Sequence, residues 1–180
     1  KNKTKRQYEE MLSKEVMPNF MRLKDELTKD YFEPVVLYGY FECYTDDTKL
    51  IVKHQNREEV FDFVRQTKPP FRSIPDYFKK DGDIVAFTCV SSGSKISEYE
   101  DRLYKEGKFH EYYLVHGLGV ELAEALAEIV HKQIRLDLGI AKSEGITLKD
   151  VKMSHYQGAR YSFGYPACPD LSLAKGLFRL

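Results

Sequence analysis

Hydrophobic side chains recur at mostly three- to five-residue intervals between residues 5 and 31, with charged residues between them. This pattern is typical of an amphipathic helix, and Pro18 within it predicts two helices or one bent helix. A longer apolar stripe predicts the longest helix over residues 109–138, ending at Leu138-Gly139. A further helix is predicted over about residues 96–107.

Stretches rich in β-branched and aromatic residues predict the strands. Residues 35–42 and 48–54 predict a hairpin with a turn at Thr45-Asp46-Asp47-Thr48, and Asp83–Val90 predicts a buried strand. Residues 59–65 predict another strand, although the preceding acids also suit a helix start. Because the strands cluster between helices without regular strand–helix alternation, we expect an α+β fold: an antiparallel β-sheet flanked by helices, including one long helix in the C-terminal half.

The remaining segments predict connections and short helical pieces. Ser73–Phe78 predicts a single capped helical turn. Residues 141–157 predict mostly connection, with a short helix around Thr147–Met153, and Pro169 predicts the start of a last helix through Leu180.

Composition narrows the class of protein. The 180 residues, 42% hydrophobic and 31% charged, predict one globular domain over residues 1–180, with a helical segment at 1–31 and a core at 32–180. Twenty-eight acidic residues balance 28 basic ones, so no global electric field would draw the chain to nucleic acid or to an anionic membrane. We therefore expect partners to be recognised through local chemistry.

The chain carries no sequence signal for a metal site or a catalytic nucleophile. Cys43, Cys89 and Cys168 are too widely spaced for a disulfide framework or a thiolate zinc site, and the five histidines show no metal-ligand spacing. No apolar run approaches the roughly 20 residues of a membrane span. We expect a cytoplasmic protein, and because the chain begins with Lys1 rather than Met, a piece of a longer one.

The most informative stretch is Arg-Tyr-Ser-Phe-Gly-Tyr-Pro-Ala-Cys-Pro-Asp, residues 160–170. Pro166 and Pro169 fix their own φ, and Gly164 permits a turn or the close approach of a ligand, so an ordered loop is predicted. Arg160 carries a planar guanidinium with five donors, which suits a carboxylate or phosphate. The alternative is that Arg160 makes a structural salt bridge.

A second glycine pattern imitates a nucleotide-binding loop. Gly117-x-Gly119 follows an apolar stretch, but Leu122 replaces the third glycine, and no strand ending in an acid follows about 20 residues later. We expect these small residues to allow close helix packing instead.

The residue 160–170 loop also resembles a known family. Gln157–Arg160 and Gly164–Asp170 are similar to the S-adenosylmethionine-binding loop in the activation domain of cobalamin-dependent methionine synthase. Further similar stretches lie upstream in the same order: Val36–Phe41, Arg65-Gln66 with Pro69-Pro70, Val115–Leu118 and Leu122–Glu128. The resemblance spans about residues 32–170 and places the ligand loop at residues 157–170.

The resemblance implies a domain that supports reductive methylation of cob(II)alamin. In that family the cobalamin of another domain occasionally oxidises to the inactive cob(II)alamin state. The activation domain then docks over the corrin, a reduced flavodoxin-type reductase supplies an electron, and S-adenosylmethionine supplies the methyl group. The implied activity is the methyltransferase of methionine biosynthesis, with the isolated domain inactive alone.

The resemblance also implies six residues that bind S-adenosylmethionine: Arg160, Glu124, Ser162, Gly164, Tyr165 and Ala167. Arg160 would bind the methionyl carboxylate, and Glu124 would help to hold the amino group. Tyr165 would lie beside the ligand, and the backbone around Ser162 and Ala167 would contact the adenosine. The alternative for Glu124 is a solvated helix charge.

Three departures from the family pattern leave alternatives open. The second acid of the family, six residues before the loop arginine, falls on Ser154; residues 1–31 hold no match for a ligand-contacting Asp; and a closing tyrosine would lie beyond Leu180. One alternative is an interaction module that docks on a corrinoid protein or flavodoxin without a ligand of its own. Another is a free-standing activator of a different corrinoid methyltransferase.

Overall fold

The structure is a computed structural model that describes residues 4–141 and 155–180. The short helix predicted around Thr147–Met153, and Ser154, therefore lie outside the described residues.

The N-terminal segment forms helix α1, Lys5–Met11, a π-helical turn at Leu12–Val16, and helix α2, Met17–Asp30. Thr4 begins α1 with a capping box, because its hydroxyl accepts from the Gln7 amide while the Gln7 side chain accepts from the Thr4 amide. Pro18 lies in the first turn of α2, where its missing N–H is tolerated. The helical prediction is confirmed, and the backbone stays helical from Lys5 to Asp30, with the π-helical turn just before Pro18.

The sheet consists of β1 (Val35–Asp46), β2 (Lys49–His54), β3 (Arg57–Asp62) and β4 (Asp83–Ser91), in the order β3-β2-β1-β4. It is antiparallel, so the α+β prediction is confirmed. In the β1–β2 hairpin, Asp46 pairs with Lys49, which leaves a two-residue turn.

The predicted turn at residues 45–48 is therefore too wide, since Thr45 and Asp46 belong to β1. Asp47 adopts φ 51°, a left-handed conformation that Asp tolerates better than most residues, and this permits the tighter turn.

The other helices are α3 (Ser94–Lys105), α4 (Phe109–Asp137) and the short α5 (Ala174–Leu177). Turns of 3₁₀ helix occur at Ile74–Tyr77 and Leu171–Leu173. Gly139, at φ 70°, ends the α4 region: its amide donates to the Leu136 carbonyl and that of Ile140 to the Arg135 carbonyl.

The prediction of one last helix from Pro169 to Leu180 is wrong. The Asp170 carboxylate accepts from the Ser172 amide at 2.8 Å and caps a 3₁₀ turn instead. After α5, the amides of Arg179 and Leu180 donate to carbonyls only three residues earlier, so the chain ends in tight turns.

The described residues divide into two compact units. The first contains residues up to Leu37 and Cys89–Ile129, and the second contains Tyr38–Thr88 and the described residues from Val130 onwards. The core of the first unit comprises Leu23, Leu27, Ile96, Tyr99, Leu103 and Val115. The core of the second comprises Cys43, Leu50, Val52, Phe61, Phe63, Val85 and Cys168. One domain over residues 1–180 stays a prediction.

Candidate functional site

The centre of the predicted ligand loop, in the second unit, is a tight turn closed by backbone hydrogen bonds. The Cys168 amide donates to the Tyr165 carbonyl at 2.8 Å, and the Gly164 amide donates to the Cys168 carbonyl at 2.7 Å. Pro166 occupies the second position of the Tyr165–Cys168 turn, where its fixed φ is favourable. The turn agrees with the ordered loop that Gly164 and the prolines predict from the sequence.

Two apolar side chains anchor this turn in the sheet core of the second unit. Cys168 is 2% exposed and belongs to the core cluster that includes Phe61. Phe163 stacks on Phe61, with 6.4 Å between the ring centroids. Burial raises the pKa of the Cys168 thiol, so this cysteine is a neutral packing group rather than a reactive thiolate.

Gly164 meets two requirements of the turn. Its φ of 89° lies in the left-handed region that favours glycine. A Cβ at this position would lie 2.8 Å from Cδ2 of Leu171, closer than two carbons normally approach. The sequence left open a turn or a close approach to a ligand; here the turn and the Leu171 side chain already account for the glycine.

Five of the six implied ligand-binding residues lie within this one loop. Arg160, Ser162 and Ala167 have half-buried side chains, and Tyr165 is 59% exposed. The Ser162 carbonyl accepts from the Tyr165 amide at 3.3 Å, which joins the first part of the loop to the turn. A half-buried guanidinium and an exposed tyrosine on a fixed backbone are suited to holding an anionic group and an aromatic ring.

Glu124, the sixth implied residue, lies on α4 in the first unit with an exposed side chain. The ligand-binding roles of all six residues stay predictions.

An aromatic pair that the sequence did not single out lies against the start of the loop. Tyr161 lies beside Tyr77, with 6.4 Å between ring centroids, and the Arg72 guanidinium lies 5.5 Å from the Tyr77 ring centroid. Burial, and the neighbouring Tyr77, raise the pKa of the Tyr161 phenol, so it remains a neutral hydrogen-bonding group.

Sequence reasoning also missed two side chains at the end of α4. His131 and Arg135 are both buried and both lie near Tyr156, just before the loop. A local signal was present, because the two residues are four apart and alternate with the buried Val130 and Ile134. A cation within an apolar stripe indicates a specific partner.

Within residues 4–141 and 155–180, no group of three or more His, Cys, Asp or Glu side chains could hold a metal ion. In the same part of the chain, every helix is too short or too polar to cross a membrane.

Comparison with known proteins gives concordant matches. The family model described as "Vitamin B12 dependent methionine synthase, activation domain" matches residues 5–180. Two curated relatives, the methionine synthases of Mycobacterium tuberculosis and Mycobacterium leprae, are each 30% identical over 185 residues, which covers 91% of this chain. The chain spans only 16% and 15% of these two relatives.

A solved structure, "Crystal Structure of the MetH Reactivation Domain bound to AdoHcy", is similar with a TM-score of 0.79 at 22% sequence identity. The similarity covers 97% of this chain and 60% of that one, and it supports the assignment of the fold. Since the family model covers almost the whole chain, the protein belongs to the activation-domain family of vitamin B12-dependent methionine synthases.

Proposed function

We propose that this chain binds S-adenosylmethionine and supports the reductive methylation of cob(II)alamin held by a partner domain. The observation that carries the proposal is the half-buried Arg160 in the same loop as the hydrogen-bonded Gly164–Cys168 turn, in a chain whose family match extends over residues 5–180. The solved relative bound to AdoHcy adds support, because AdoHcy is S-adenosylmethionine without its transferable methyl group.

The residues present suit the chemical groups of S-adenosylmethionine. Its carboxylate requires a cation, which Arg160 offers as a bidentate fork. Its amino group requires an acid, for which Glu124 is the proposed partner. Its adenosine requires backbone groups and an aromatic face, which the loop around Ser162 and the exposed Tyr165 provide.

The proposed role of these residues is alignment. Bound S-adenosylmethionine supplies a methyl group that the positive sulfonium already activates. Transfer therefore needs a fixed orientation more than a general base. Arg160 and Glu124 would fix the methionyl end, while the backbone from Ser162 through Gly164 to Ala167 would fix the adenosine.

The wider reaction requires partners outside this chain. The cobalamin-binding domain of methionine synthase would present the cobalt, and a flavodoxin-type reductase would supply the electron. On this proposal the chain acts as part of a methyltransferase of methionine biosynthesis and is inactive alone. Its three free cysteines, of which Cys89 is exposed, are consistent with the reducing cytoplasm that we propose as its location.

A second candidate is a docking module for a corrinoid protein or flavodoxin that binds no ligand itself. Ser154, in place of the second acid of the family, favours this candidate, because one contact to the ligand's cationic end would be lost. A free-standing activator of another corrinoid methyltransferase would keep the ligand but change the partner.

Calorimetric titration of the 180-residue chain with S-adenosylmethionine tests the proposal. We expect saturable but weak binding, since the contact of the family's second acid is lost at Ser154. AdoHcy should compete, because it keeps the carboxylate, amino group and adenosine. Silence at millimolar ligand with the fold intact would favour the docking module.

A further inference from the structure

The last turns of α4 carry a buried arginine that contacts the segment leading into the ligand loop. Arg135 is 2% exposed, and its guanidinium carbon lies 3.8 Å from the centroid of the Tyr156 ring. His131, one turn earlier, meets the same ring edge to face, with 5.4 Å between centroids. Two side chains of α4 thus hold Tyr156 from different directions.

Gly158 continues this contact towards the loop. At φ 96°, the direction of its missing side chain is towards Ile140 and the aliphatic part of Arg135: a Cβ at Gly158 would lie 3.6 Å from Cδ1 of Ile140, 3.7 Å from Cδ of Arg135 and 3.9 Å from Cγ of Arg135. These are ordinary van der Waals distances, so the two groups are neighbours without strain. The Arg135 stem therefore lies next to the space that a side chain at Gly158 would fill, two residues before Arg160, while its guanidinium stacks on Tyr156.

This arrangement is specific for arginine. Burying a cation carries a desolvation cost that an apolar side chain of similar size would avoid, so simple core filling does not explain it. A planar guanidinium stacks face to face on an aromatic ring, whereas the compact ammonium of lysine does not reproduce that contact. The stack on Tyr156 and the position of the stem next to Gly158 place Arg135 against two residues of the segment that leads to Arg160.

We propose that Arg135 is a positioning residue for the ligand loop: by stacking on Tyr156 and lying beside Gly158, it sets the place of Arg160. Its effect on the ligand rests on the proposed function, in which Arg160 binds the carboxylate of S-adenosylmethionine. A misplaced guanidinium could no longer form two parallel hydrogen bonds with that carboxylate.

The test uses four variants of the full chain and two readouts. Arg135→Lys keeps the charge and loses the planar stack, Tyr156→Leu loses the ring, and Tyr156→Phe keeps the ring. Arg102→Lys is the matched control, because the Arg102 guanidinium lies 4.9 Å from the Tyr99 ring centroid in the first unit. The readouts are the rate of trypsin cleavage after Arg160, followed by mass spectrometry, and S-adenosylmethionine affinity per folded molecule.

We expect Arg135→Lys and Tyr156→Leu to speed cleavage after Arg160 and to weaken ligand affinity by roughly 5- to 30-fold, the range of a desolvated cation–π contact. Tyr156→Phe and Arg102→Lys should match the wild type in both readouts. Should Arg135→Lys fail to fold, Tyr156→Leu carries the same prediction.

An unchanged cleavage rate in the folded variants would overturn the positioning role. Faster cleavage with unchanged affinity would overturn the link from Arg135 to the ligand. If the wild type binds no S-adenosylmethionine, the proposed function fails, and the cleavage rates alone decide whether Arg135 positions the loop.

Discussion

At the scale of single residues, the loop depends on a position that only glycine fits without strain. Gly164 combines a φ of 89° with a hypothetical Cβ 2.8 Å from the Leu171 side chain. Leu171 is 67% exposed, so its end can move, whereas the backbone conformation cannot relax as easily. A side chain at position 164 should therefore cost more through the left-handed φ than through its clash with Leu171.

Gly164→Ala tests this order of effects. We expect a loss of about 1–2 kcal/mol in the free energy of unfolding, because a non-glycine residue must adopt the left-handed conformation. Denaturant unfolding measures the change. Adding Leu171→Ala removes the steric contact and should recover only a minor part of the loss; full recovery would show that the clash, not φ, governs the position.

The sequence predicted the loop at this scale because proline and glycine restrict the backbone locally. Pro166, Gly164 and Arg160 were recognisable without a structure for this reason. The contact of Arg135 with Tyr156 was not: the spacing of His131 and Arg135 on α4 indicates that both are buried, but no local pattern specifies a partner far along the chain. The Leu171 contact of Gly164 was missed for a related reason: it depends on how the chain turns after Pro169.

At the scale of elements, α5 lies against β3 through a second close approach. Gly176 is buried, and a Cβ there would lie 2.6 Å from Cε1 and 2.8 Å from Cζ of Phe61. Arg179 then pairs with Glu59, its Nε donating to Oε2 at 2.9 Å. The carboxylate of Glu59 has a lowered pKa because Arg179 donates to it.

Gly176→Ala should destabilise the protein although alanine is the better helix former. Phe61 is buried in the core and has little room to move, so we expect a loss of about 1–3 kcal/mol from overpacking. Gly117→Ala, on α4, is the control, because no neighbouring atom of residues 4–141 and 155–180 lies within 4 Å of the point that its Cβ would occupy. The close helix packing expected at Gly117 is therefore not found among these residues. That substitution should stabilise by about 0.5–1 kcal/mol. Equal effects in thermal or denaturant unfolding would contradict this account of α5.

Sequence periodicity and composition suffice to predict that a helix or strand is present, but not where it ends. The stripes of α2 and α4 and the β-rich composition of β2 and β4 predicted the elements themselves, because burial on one face imposes the period. The predicted C-terminal end of β1 and the predicted last helix were wrong. Each depends on a single local interaction: the left-handed Asp47 for β1 and the Asp170 cap for the last helix.

At the scale of the whole molecule, acidic and basic residues balance in number, so electrostatic stabilisation comes from individual ion pairs and hydrogen bonds. Arg65 donates to Asp76 at 2.8 Å and to Asp47 at 2.9 Å, which links the β1–β2 turn to the 3₁₀ turn at Ile74–Tyr77. The hydrogen bond from the Ser73 amide and, to a smaller extent, the one from the Arg65 guanidinium lower the pKa of Asp76. A hydrogen bond from Tyr40 lowers the pKa of Asp137 in the same way.

The lowered pKa values of Asp76 and Asp137 predict that the fold loses stability in acid. A carboxyl whose pKa is lower in the folded state stabilises the fold above its ordinary pKa, near 4, and loses that contribution as pH falls through the lower folded value. We expect the melting temperature to be nearly constant between about pH 5 and 7 and to fall below about pH 4. Asp76→Asn should lower the melting temperature at pH 7 and make its acid dependence shallower; an unchanged acid slope would contradict the role of Asp76.

Substitution of Arg160 distinguishes a ligand-binding residue from a structural one, because the two roles predict different outcomes. Hydrogen bonds to charged groups contribute roughly 1.5–3 kcal/mol, so Arg160→Ala should weaken S-adenosylmethionine binding by about 10- to 150-fold. Arg160→Lys should restore only part of the affinity, since an ammonium lacks the planar fork. Arg22→Ala is the control, because Arg22 lies on α2 in an exposed pair with Glu26.

The measurement is calorimetric titration of the wild type and these three variants, with melting temperatures recorded without ligand. We expect wild-type affinity for Arg22→Ala and a graded loss from Arg160→Lys to Arg160→Ala with the fold intact. Unchanged affinity per folded molecule in Arg160→Ala, with a lowered melting temperature, would contradict this expectation and make Arg160 a structural residue.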